Sequence, residues 1–180
     1  MTAYNLQNVN VLVVEGHQVM RRLMRDVLVS LGVKTIEVVS ESQVQEVHEF
    51  NPDVIFTDWS PVCDGLSLIR EVRTRKRAFD RFSPIVMSSA FTELGRVCQA
   101  RDAGVTEFLA KPFTATLIYR RICSLVENPR DFVETRSYFG PDRRRRVIGP
   151  PGPERRKDNS GVLVGAGRTD GRPRLHDLVR

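Results

Sequence analysis

Runs of consecutive apolar residues alternate, over the first two thirds of the chain, with stretches in which apolar residues recur every three or four positions. The runs predict strands that are buried on both faces, and the wider spacing predicts amphipathic helices. The predicted strands are residues 9–14, 35–39, 53–57, 84–88 and 106–110. The predicted helices are residues 20–31, 40–50, 65–76, 92–103 and 114–126. Strands and helices that alternate in this way form a parallel sheet with helices on both faces, so the predicted fold class is α/β.

Polar side chains follow four of these strands at their carboxyl ends, where sheets of this kind bind ligands. Glu15 follows the first strand and Asp58 the third, while Ser89 and Lys111 follow the fourth and fifth. Lys111 precedes Pro112, and an X–Pro bond can adopt the cis geometry. One carboxylate at a strand end is usually a helix cap. An acid, a candidate phosphoacceptor, a hydroxyl and an amine at matching ends predict a binding site instead.

The positive charge of the chain is confined to its C-terminal part. The 180 residues carry a formal net charge of +6. Residues 1–127 contain 15 basic and 15 acidic residues, so the excess lies in residues 128–180, where twelve of the 13 cations are arginine. The boundary predicts a neutral globular domain at 1–127. The tail at 128–180 is rich in Arg, Gly and Pro, has little apolar periodicity and is therefore predicted to be largely disordered.

The remaining composition limits the cellular setting. No apolar run approaches the roughly 20 residues that a membrane-spanning helix needs. The sequence does not open with a basic region followed by an apolar segment, which a secretory signal would require. Three scattered cysteines suit neither a disulfide framework nor a zinc site. We therefore expect a cytoplasmic protein without a membrane partner.

The globular domain resembles the receiver domain of bacterial response regulators, the CheY-like family. The resemblance covers residues 9–127 and rests on VLVVE at 11–15, FTDW at 56–59, DG at 64–65, SSA at 88–90 and KPF at 111–113. It implies a doubly wound, flavodoxin-like sheet of five parallel strands in the order 2-1-3-4-5. It also implies a signalling role in a two-component system rather than an enzymatic one.

The same resemblance implies a role for each residue at the strand ends. Asp58 would be the phosphoacceptor, which receives its phosphoryl group from the phosphohistidine of a histidine kinase or phosphotransfer protein. Ser89 would be the switch hydroxyl and Lys111 the cation that pairs with the phosphoryl group. Phe108 lies where the family often has its switching aromatic residue. Output would be read from residues 92–126, near Phe108.

Two departures from the family pattern affect the predicted Mg²⁺ site. The family normally has two acids after the first strand, whereas this chain has Glu15 and Gly16. Only six residues separate Asp58 from Gly65, one fewer than is common. The remaining oxygen donors are the carboxylates of Glu15 and Asp58 and the carbonyl of Ser60, and Mg²⁺ is usually bound through one or two carboxylates plus water and phosphate. We therefore expect a weakened metal site in which Asp58 is rarely phosphorylated.

The tail contains a repeated unit, Gly-Pro-acid-Arg-Arg, at residues 140–144 and again twelve residues later at 152–156. Gly-Pro favours a turn with exposed backbone. The planar guanidinium of arginine binds phosphate and the Hoogsteen edge of guanine. A neighbouring carboxylate accepts hydrogen bonds from guanine, and Tyr138 and Phe139 offer stacking surface. A ligand with guanines, phosphates and twofold character fits such a duplicated unit, and cyclic di-GMP has all three.

A second resemblance agrees with this interpretation. The segments RSYFGPDRRRR at 136–146 and GPERR at 152–156 are similar to the arginine-rich extension of the CheY-like cyclic-di-GMP effectors. The resemblance implies capture of cyclic di-GMP by the tail and signalling to the flagellar motor switch or another signalling protein, and recruitment to the motor. The implied ligand-binding residues are Arg136, Tyr138, Asp142, Arg143, Arg144, Arg145, Arg146, Glu154, Arg155 and Arg156.

Two alternatives remain open from the sequence. In one, the chain is a phosphorylation-dependent response regulator in which Asp58 carries the signal and the tail only localises the protein. In the other, the tail is an electrostatic arm for nucleic acid. The acids within the repeats disfavour nucleic acid, because they repel phosphates and reduce counterion release.

Overall fold

A computed structural model describes residues 4–76, 79–143, 162–164, 173 and 175–179. The strands of the main sheet are β1 (Asn10–Val14), β2 (Thr35–Val39), β3 (Val54–Ser60), β4 (Cys63–Asp64), β5 (Ile85–Ser89) and β6 (Glu107–Ala110). Five of them are parallel and lie in the order β2-β1-β3-β5-β6, which confirms the predicted doubly wound topology. The short β4 pairs antiparallel with the end of β3 and was not predicted.

Four long helices cover the sheet: α1 (Gln18–Ser30), α2 (Gly65–Arg73), α3 (Leu94–Ala103) and α4 (Ala115–Glu127). The predicted helix at residues 40–50 is wrong, since this segment begins with a 3-10 helix at Glu41–Gln43 and continues as turns. Its backbone bonds span three residues, as in Gln43 N–H to the Ser40 carbonyl. The apolar residues Val44, Val47 and Phe50 are spaced by three, which matches the 3-10 period.

Apolar residues of β1 alternate between the two faces of the sheet. Val11 and Val13 pack in a cluster with residues of α1 and α4, while Leu12 and Val14 pack in a second cluster with residues of α2 and α3. In a strand that is buried on both faces, the side chains pack against apolar neighbours, so polar side chains come at the ends of the strand. The first polar side chain after β1, Glu15, therefore comes at the sheet edge. No helix among the described residues is long and apolar enough to cross a membrane.

The chain beyond α4, which we call the C-terminal extension, contributes further elements: β7 (Phe132–Glu134), β8 (Phe139–Pro141), β9 (Val162–Val164) and α5 (Leu175–Leu178). The three strands form an antiparallel sheet in the order β8-β7-β9. The prediction of a largely disordered tail is therefore wrong for these elements. Phe132 is 4% exposed and its ring contacts those of Phe82 and Phe139, while Leu175 and Val179 join the core cluster of α1 and α4. These segments are ordered because a few large apolar side chains are buried, although their sequence has no periodic apolar pattern.

Candidate functional site

Three of the predicted residues form one hydrogen-bonded group at the carboxyl ends of the strands. The ammonium nitrogen of Lys111 lies 2.7 Å from Oε2 of Glu15 and 2.7 Å from Oδ1 of Asp58. The Glu15 and Asp58 side chains are 3% and 1% exposed. Both acids are therefore shielded from bulk water and pair with the same cation. We call Glu15, Asp58 and Lys111 the acidic pocket. Charge-assisted bonds of this kind are stronger than neutral ones.

Strand register brings these residues together. Val14 of β1 pairs with Thr57 of β3, so the following Glu15 and Asp58 lie side by side. Lys111 follows the end of β6, and its backbone N–H donates to the Ser89 carbonyl at 2.8 Å. The Lys111–Pro112 peptide bond is cis. A bond that precedes proline permits this geometry.

The protonation of Lys111 reflects two opposed effects. Burial of the ammonium group favours the neutral form, but the hydrogen bonds and charges of Asp58 and Glu15 outweigh burial and raise the pKa of Lys111 above its ordinary value. The lysine therefore stays charged at neutral pH. Burial also raises the pKa of the nearby Cys63 thiol to about 12, with a further contribution from the charge of Asp58.

Ser60 contacts Asp58 in a way that the sequence did not predict. Its hydroxyl donates a 2.5 Å hydrogen bond to Oδ2 of Asp58, the oxygen that Lys111 does not contact. From the sequence, only the Ser60 carbonyl was expected to act here, as a metal ligand. A serine two residues after a strand-end aspartate is the signal that could have indicated this contact.

Ser89, the predicted switch hydroxyl, lies next to the acidic pocket, because its carbonyl accepts from the Lys111 N–H, but its hydroxyl does not bond to Asp58. The hydroxyl of Ser89 is fully buried, donates to the Trp59 carbonyl at 2.7 Å and accepts from the Phe91 N–H at 3.1 Å. Phe108 is half-buried and packs against the cluster of α2 and α3. Ser89 is the last residue of β5 and Phe108 lies in β6, and their switching roles stay predictions.

The acidic pocket offers Mg²⁺ few free donors. Glu15 Oε1 accepts from the His17 N–H at 3.0 Å, and the other three carboxylate oxygens accept from Lys111 or Ser60. Gly16 contributes no side chain, and a Cβ built on it would lie 2.8 Å from the Val62 carbonyl oxygen. The described residues contain no group of three acids, histidines or cysteines that could hold a metal ion. The donor set does not fit a resident Mg²⁺ ion as it stands.

Only some of the predicted cyclic-di-GMP residues lie within the described part of the chain. Arg144, Arg145, Arg146, Glu154, Arg155 and Arg156 lie outside it. Arg136 is exposed, whereas Tyr138 and Arg143 stack on each other, with 4.0 Å from the guanidinium carbon to the ring centroid. Arg143 also pairs with Asp102 of α3 at 3.2 Å.

The sequence predicted that the first Gly-Pro unit would expose its backbone to ligand. This prediction is wrong, because the unit packs against the domain. Gly140 and Pro141 are buried. A Cβ on Gly140 would lie 3.0 Å from the Cα of Gly104, and the Tyr138 hydroxyl donates to the Pro141 carbonyl at 2.9 Å. The unit is thus part of the strand that holds the extension on the α3–β6 turn.

An open polar cavity of about 430 Å³ lies at the opposite end of the sheet from Asp58. It is formed where the extension leaves α4, and its charged lining residues are Glu107, Arg121, Arg130, Asp131 and Asp142. Of these residues, only Asp142 was predicted from the sequence. Arg121 was missed because it looks like an ordinary solvated residue on the polar face of a helix.

A buried arginine beneath the extension was also missed. The Arg73 side chain is 2% exposed, and it donates to the backbone carbonyls of Gly104, Arg81 and Ser83 at 2.9, 2.6 and 2.9 Å. Burial lowers the pKa of Arg73 to about 9, which still leaves it charged at neutral pH. Its guanidinium faces the Phe132 ring of β7.

Comparison with known proteins shows which family of domains this chain resembles. A family model for the response regulator receiver domain matches residues 11–123. Chemotaxis protein CheY of Pseudomonas aeruginosa is 29% identical over 120 residues, which are 65% of this chain and 95% of that protein. Chemotaxis protein CheY of Bacillus subtilis is 30% identical over 118 residues, 62% of this chain and 92% of that protein.

Solved structures agree. The receiver domain of a sensor histidine kinase from Pseudomonas aeruginosa PAO1, with a magnesium ion in its active-site cleft, is 29% identical. It superposes with a TM-score of 0.54 over 63% of this chain and 93% of its own. Chemotaxis protein CheY4 of Vibrio cholerae, at 23% identity, matches in fold with a TM-score of 0.57 over 64% of this chain and 96% of its own.

Proposed function

Because this chain belongs to the response regulator receiver family, we propose that it is a CheY-type signalling protein in which Asp58 accepts a phosphoryl group. The observation that carries the proposal is the 2.7 Å contact between the Lys111 ammonium and Oδ1 of Asp58. It places a fixed positive charge at the oxygen that would become part of an acyl phosphate. Preorganised charge of this kind favours phosphoryl transfer, in which the protein mainly positions and stabilises.

The proposed step is the transfer of one phosphoryl group from a histidine to Asp58. A carboxylate oxygen of Asp58 attacks the phosphorus of a phosphohistidine on a kinase or phosphotransfer protein, and a P–O bond forms. The P–N bond breaks, and its electron pair leaves with the donor's imidazole, which is protonated by solvent. Lys111 then pairs with a phosphoryl oxygen, so the chain is an acceptor and performs no turnover of its own.

The proposed output begins at Ser89. Its hydroxyl now donates to the Trp59 carbonyl, and a phosphoryl oxygen on Asp58 would offer a stronger, charged acceptor. Movement of the hydroxyl toward that acceptor would change the packing around Phe108 on β6. The surface of α3, β6 and α4 would then present the signal to a partner such as the flagellar motor switch.

Beryllofluoride, which mimics a phosphoryl group on aspartate, tests this proposal. Amide NMR spectra of the full chain are recorded in MgCl₂, with and without beryllofluoride, for wild type and for Asp58→Asn. We expect shifts at Ser89 and Phe108 in wild type and none in the variant. Equal spectra for the wild type with and without the reagent would contradict the proposal.

We also propose, as a second candidate function, that the C-terminal extension binds cyclic di-GMP. The observation that favours it is the cavity of about 430 Å³ that Asp142 shares with Arg121 and Arg130. This volume lies within the range of small-molecule sites. The Asp142 carboxylate can accept from the N1–H and N2–H groups of guanine, and the guanidinium groups can donate to phosphate.

Isothermal titration of the full chain with cyclic di-GMP, GTP and GMP tests this second function. We expect binding of cyclic di-GMP that is lost in Asp142→Ala and in the double variant Arg121→Ala with Arg130→Ala, because all three residues line the cavity. Arg101→Ala is the matched control, because it removes an exposed arginine of α3 outside the cavity. Unchanged binding in the Asp142 and double variants would refute the assigned site. Binding of random oligonucleotides with steep salt dependence would favour the nucleic-acid alternative.

A further inference from the structure

Gly16 lies in contact with the turn that follows β3. A Cβ built on Gly16 would lie 2.6 Å from Cγ2 of Val62 and 2.8 Å from its carbonyl oxygen. The methyl group could rotate away, but the carbonyl belongs to the backbone. Any side chain at position 16 therefore requires the backbone at Val62 to move.

The turn that carries Val62 has little freedom to move. Ser60 of β3 pairs with Cys63 of β4, so only Pro61 and Val62 connect the two strands. A two-residue connection fixes the relative position of the strands that it joins. A connection longer by one residue would allow the carbonyl at Val62 to withdraw from Gly16.

The residues that follow hold the other side of this hairpin. The Asp64 N–H donates to Oε2 of Glu41 at 2.7 Å, and the Asp64 carboxylate caps α2 by accepting from the Ser67 N–H at 3.1 Å. A Cβ on Gly65 would overlap the Asp58 carbonyl oxygen, so the start of α2 is packed directly against β3. The hairpin is thus fixed at both ends, so an acid at position 16 would displace the backbone at Val62 unless the hairpin were longer.

The two remaining acids are already bonded within the chain. Lys111 bridges Glu15 and Asp58, and the other oxygen of each carboxylate accepts from His17 N–H or the Ser60 hydroxyl. Mg²⁺ requires near-octahedral oxygen ligation at about 2.0–2.1 Å and gives up its water reluctantly. An ion that entered here would have to share these carboxylate oxygens with the Lys111 ammonium, whose positive charge repels it.

We infer that the two-residue turn Pro61–Val62 keeps position 16 free of a side chain and so leaves the acidic pocket to Lys111 instead of Mg²⁺. The chain would differ in this respect from the magnesium-bound receiver domain of the Pseudomonas aeruginosa kinase. The inference concerns the site of the proposed phosphoryl transfer, but metal affinity can be measured without transfer.

Titration of the full chain with MgCl₂ tests the inference. Trp59, the single tryptophan, is adjacent to Asp58 and its fluorescence reports the pocket, with isothermal titration as a second readout. We expect no saturable response in wild type up to tens of millimolar MgCl₂. In Gly16→Asp with one glycine inserted between Pro61 and Val62, we expect saturable binding within the concentration range in which wild type shows none.

Two control variants separate the turn from the charge. The glycine insertion without Gly16→Asp tests the longer turn alone, and Gly16→Asp without the insertion tests the acid alone. We expect neither to bind Mg²⁺ as tightly as the combined variant. Saturable binding by wild type with the affinity of the combined variant would overturn the inference, and so would equal binding by Gly16→Asp alone. The wild-type titration is decisive even if an inserted variant folds poorly.

Labelling of the chain by acetyl phosphate, with MgCl₂ or with EDTA, distinguishes failure of this inference from failure of the proposed function. Labelling of Asp58 whose yield saturates with MgCl₂ would contradict the inference and support the function. A flat MgCl₂ titration with no labelling in either condition would support the inference and contradict the function.

Discussion

The guanidinium carbon of Arg73 lies 5.1 Å from the centroid of the Phe132 ring, so a buried cation of the receiver domain supports the first strand of the C-terminal extension. A buried arginine is uncommon unless its donors are satisfied. Here the donors bind three backbone carbonyls from two different turns of the domain. The domain and residues 132–141 therefore behave as one packed unit.

Replacing Arg73 should be costly. Arg73→Met keeps much of the side-chain volume but leaves the carbonyls of Gly104, Arg81 and Ser83 without their donor. Each buried unsatisfied group costs about 1–3 kcal/mol, so we expect the free energy of unfolding to fall by roughly 3 kcal/mol or more. Urea denaturation measures the loss, and Arg101→Met is the exposed control. A loss equal to that of the control would show that the carbonyls find other donors.

The contact between Gly140 and Gly104 predicts that even a methyl group at position 140 weakens the extension. In Gly140→Ala the added Cβ would lie 2.5 Å from the Tyr138 hydroxyl and 3.0 Å from the Cα of Gly104. Overpacking of this kind costs about 1–3 kcal/mol. We expect faster amide hydrogen exchange in β7 and β8.

Gly95→Ala is the matched control for that measurement, because a Cβ there meets nothing within 4 Å. Removal of a glycine from a helix is expected to stabilise by about 0.5–1 kcal/mol. Equal exchange in β7 and β8 for Gly140→Ala and Gly95→Ala would contradict the close packing of the extension.

Cys63 should be the least reactive of the three cysteines. Burial raises its pKa to about 12, and the thiolate is the reactive form. Cys98 and Cys123 are only partly buried. We expect iodoacetamide at neutral pH to modify Cys98 and Cys123 before Cys63, as measured by peptide mass spectrometry, and all three equally in denaturant. Early modification of Cys63 in the native protein would show that the loop after β3 opens readily.

The stability contributed by Lys111 should depend on pH in one direction. Its folded pKa is raised above the ordinary value of 10.5, so its contribution is fully present below 10.5 and is lost as the pH rises through the higher folded value. Removing one partner of a buried pair costs about 3–5 kcal/mol. We expect Lys111→Met to lose about this much.

The measurement for Lys111 is the difference in unfolding free energy between wild type and Lys111→Met. We expect a constant difference from neutral pH to about pH 10 and a smaller one above it. A difference that grows with pH above that value would mean that the ammonium group is not stabilised by Asp58 and Glu15.

The sequence predicted the parallel sheet because its strands are continuous apolar runs, and it predicted Glu15, Asp58 and Lys111 because polar residues follow those runs directly. It did not predict the contact of Gly16 with Val62, which depends on the pairing of β3 with a two-residue strand. The 40–50 segment was misassigned because its apolar spacing of three resembles a helical pattern. The extension was missed because Phe132, Phe139 and Leu175 are isolated in sequence and become a core only through tertiary contacts.

Phosphoryl transfer to Asp58 is the central claim, and intact-mass analysis after incubation with acetyl phosphate tests it most directly. The predicted result is a single added phosphoryl group on the wild-type chain, absent from Asp58→Asn and strongly reduced in Lys111→Met. The same mass for wild type and Asp58→Asn after incubation would contradict the account.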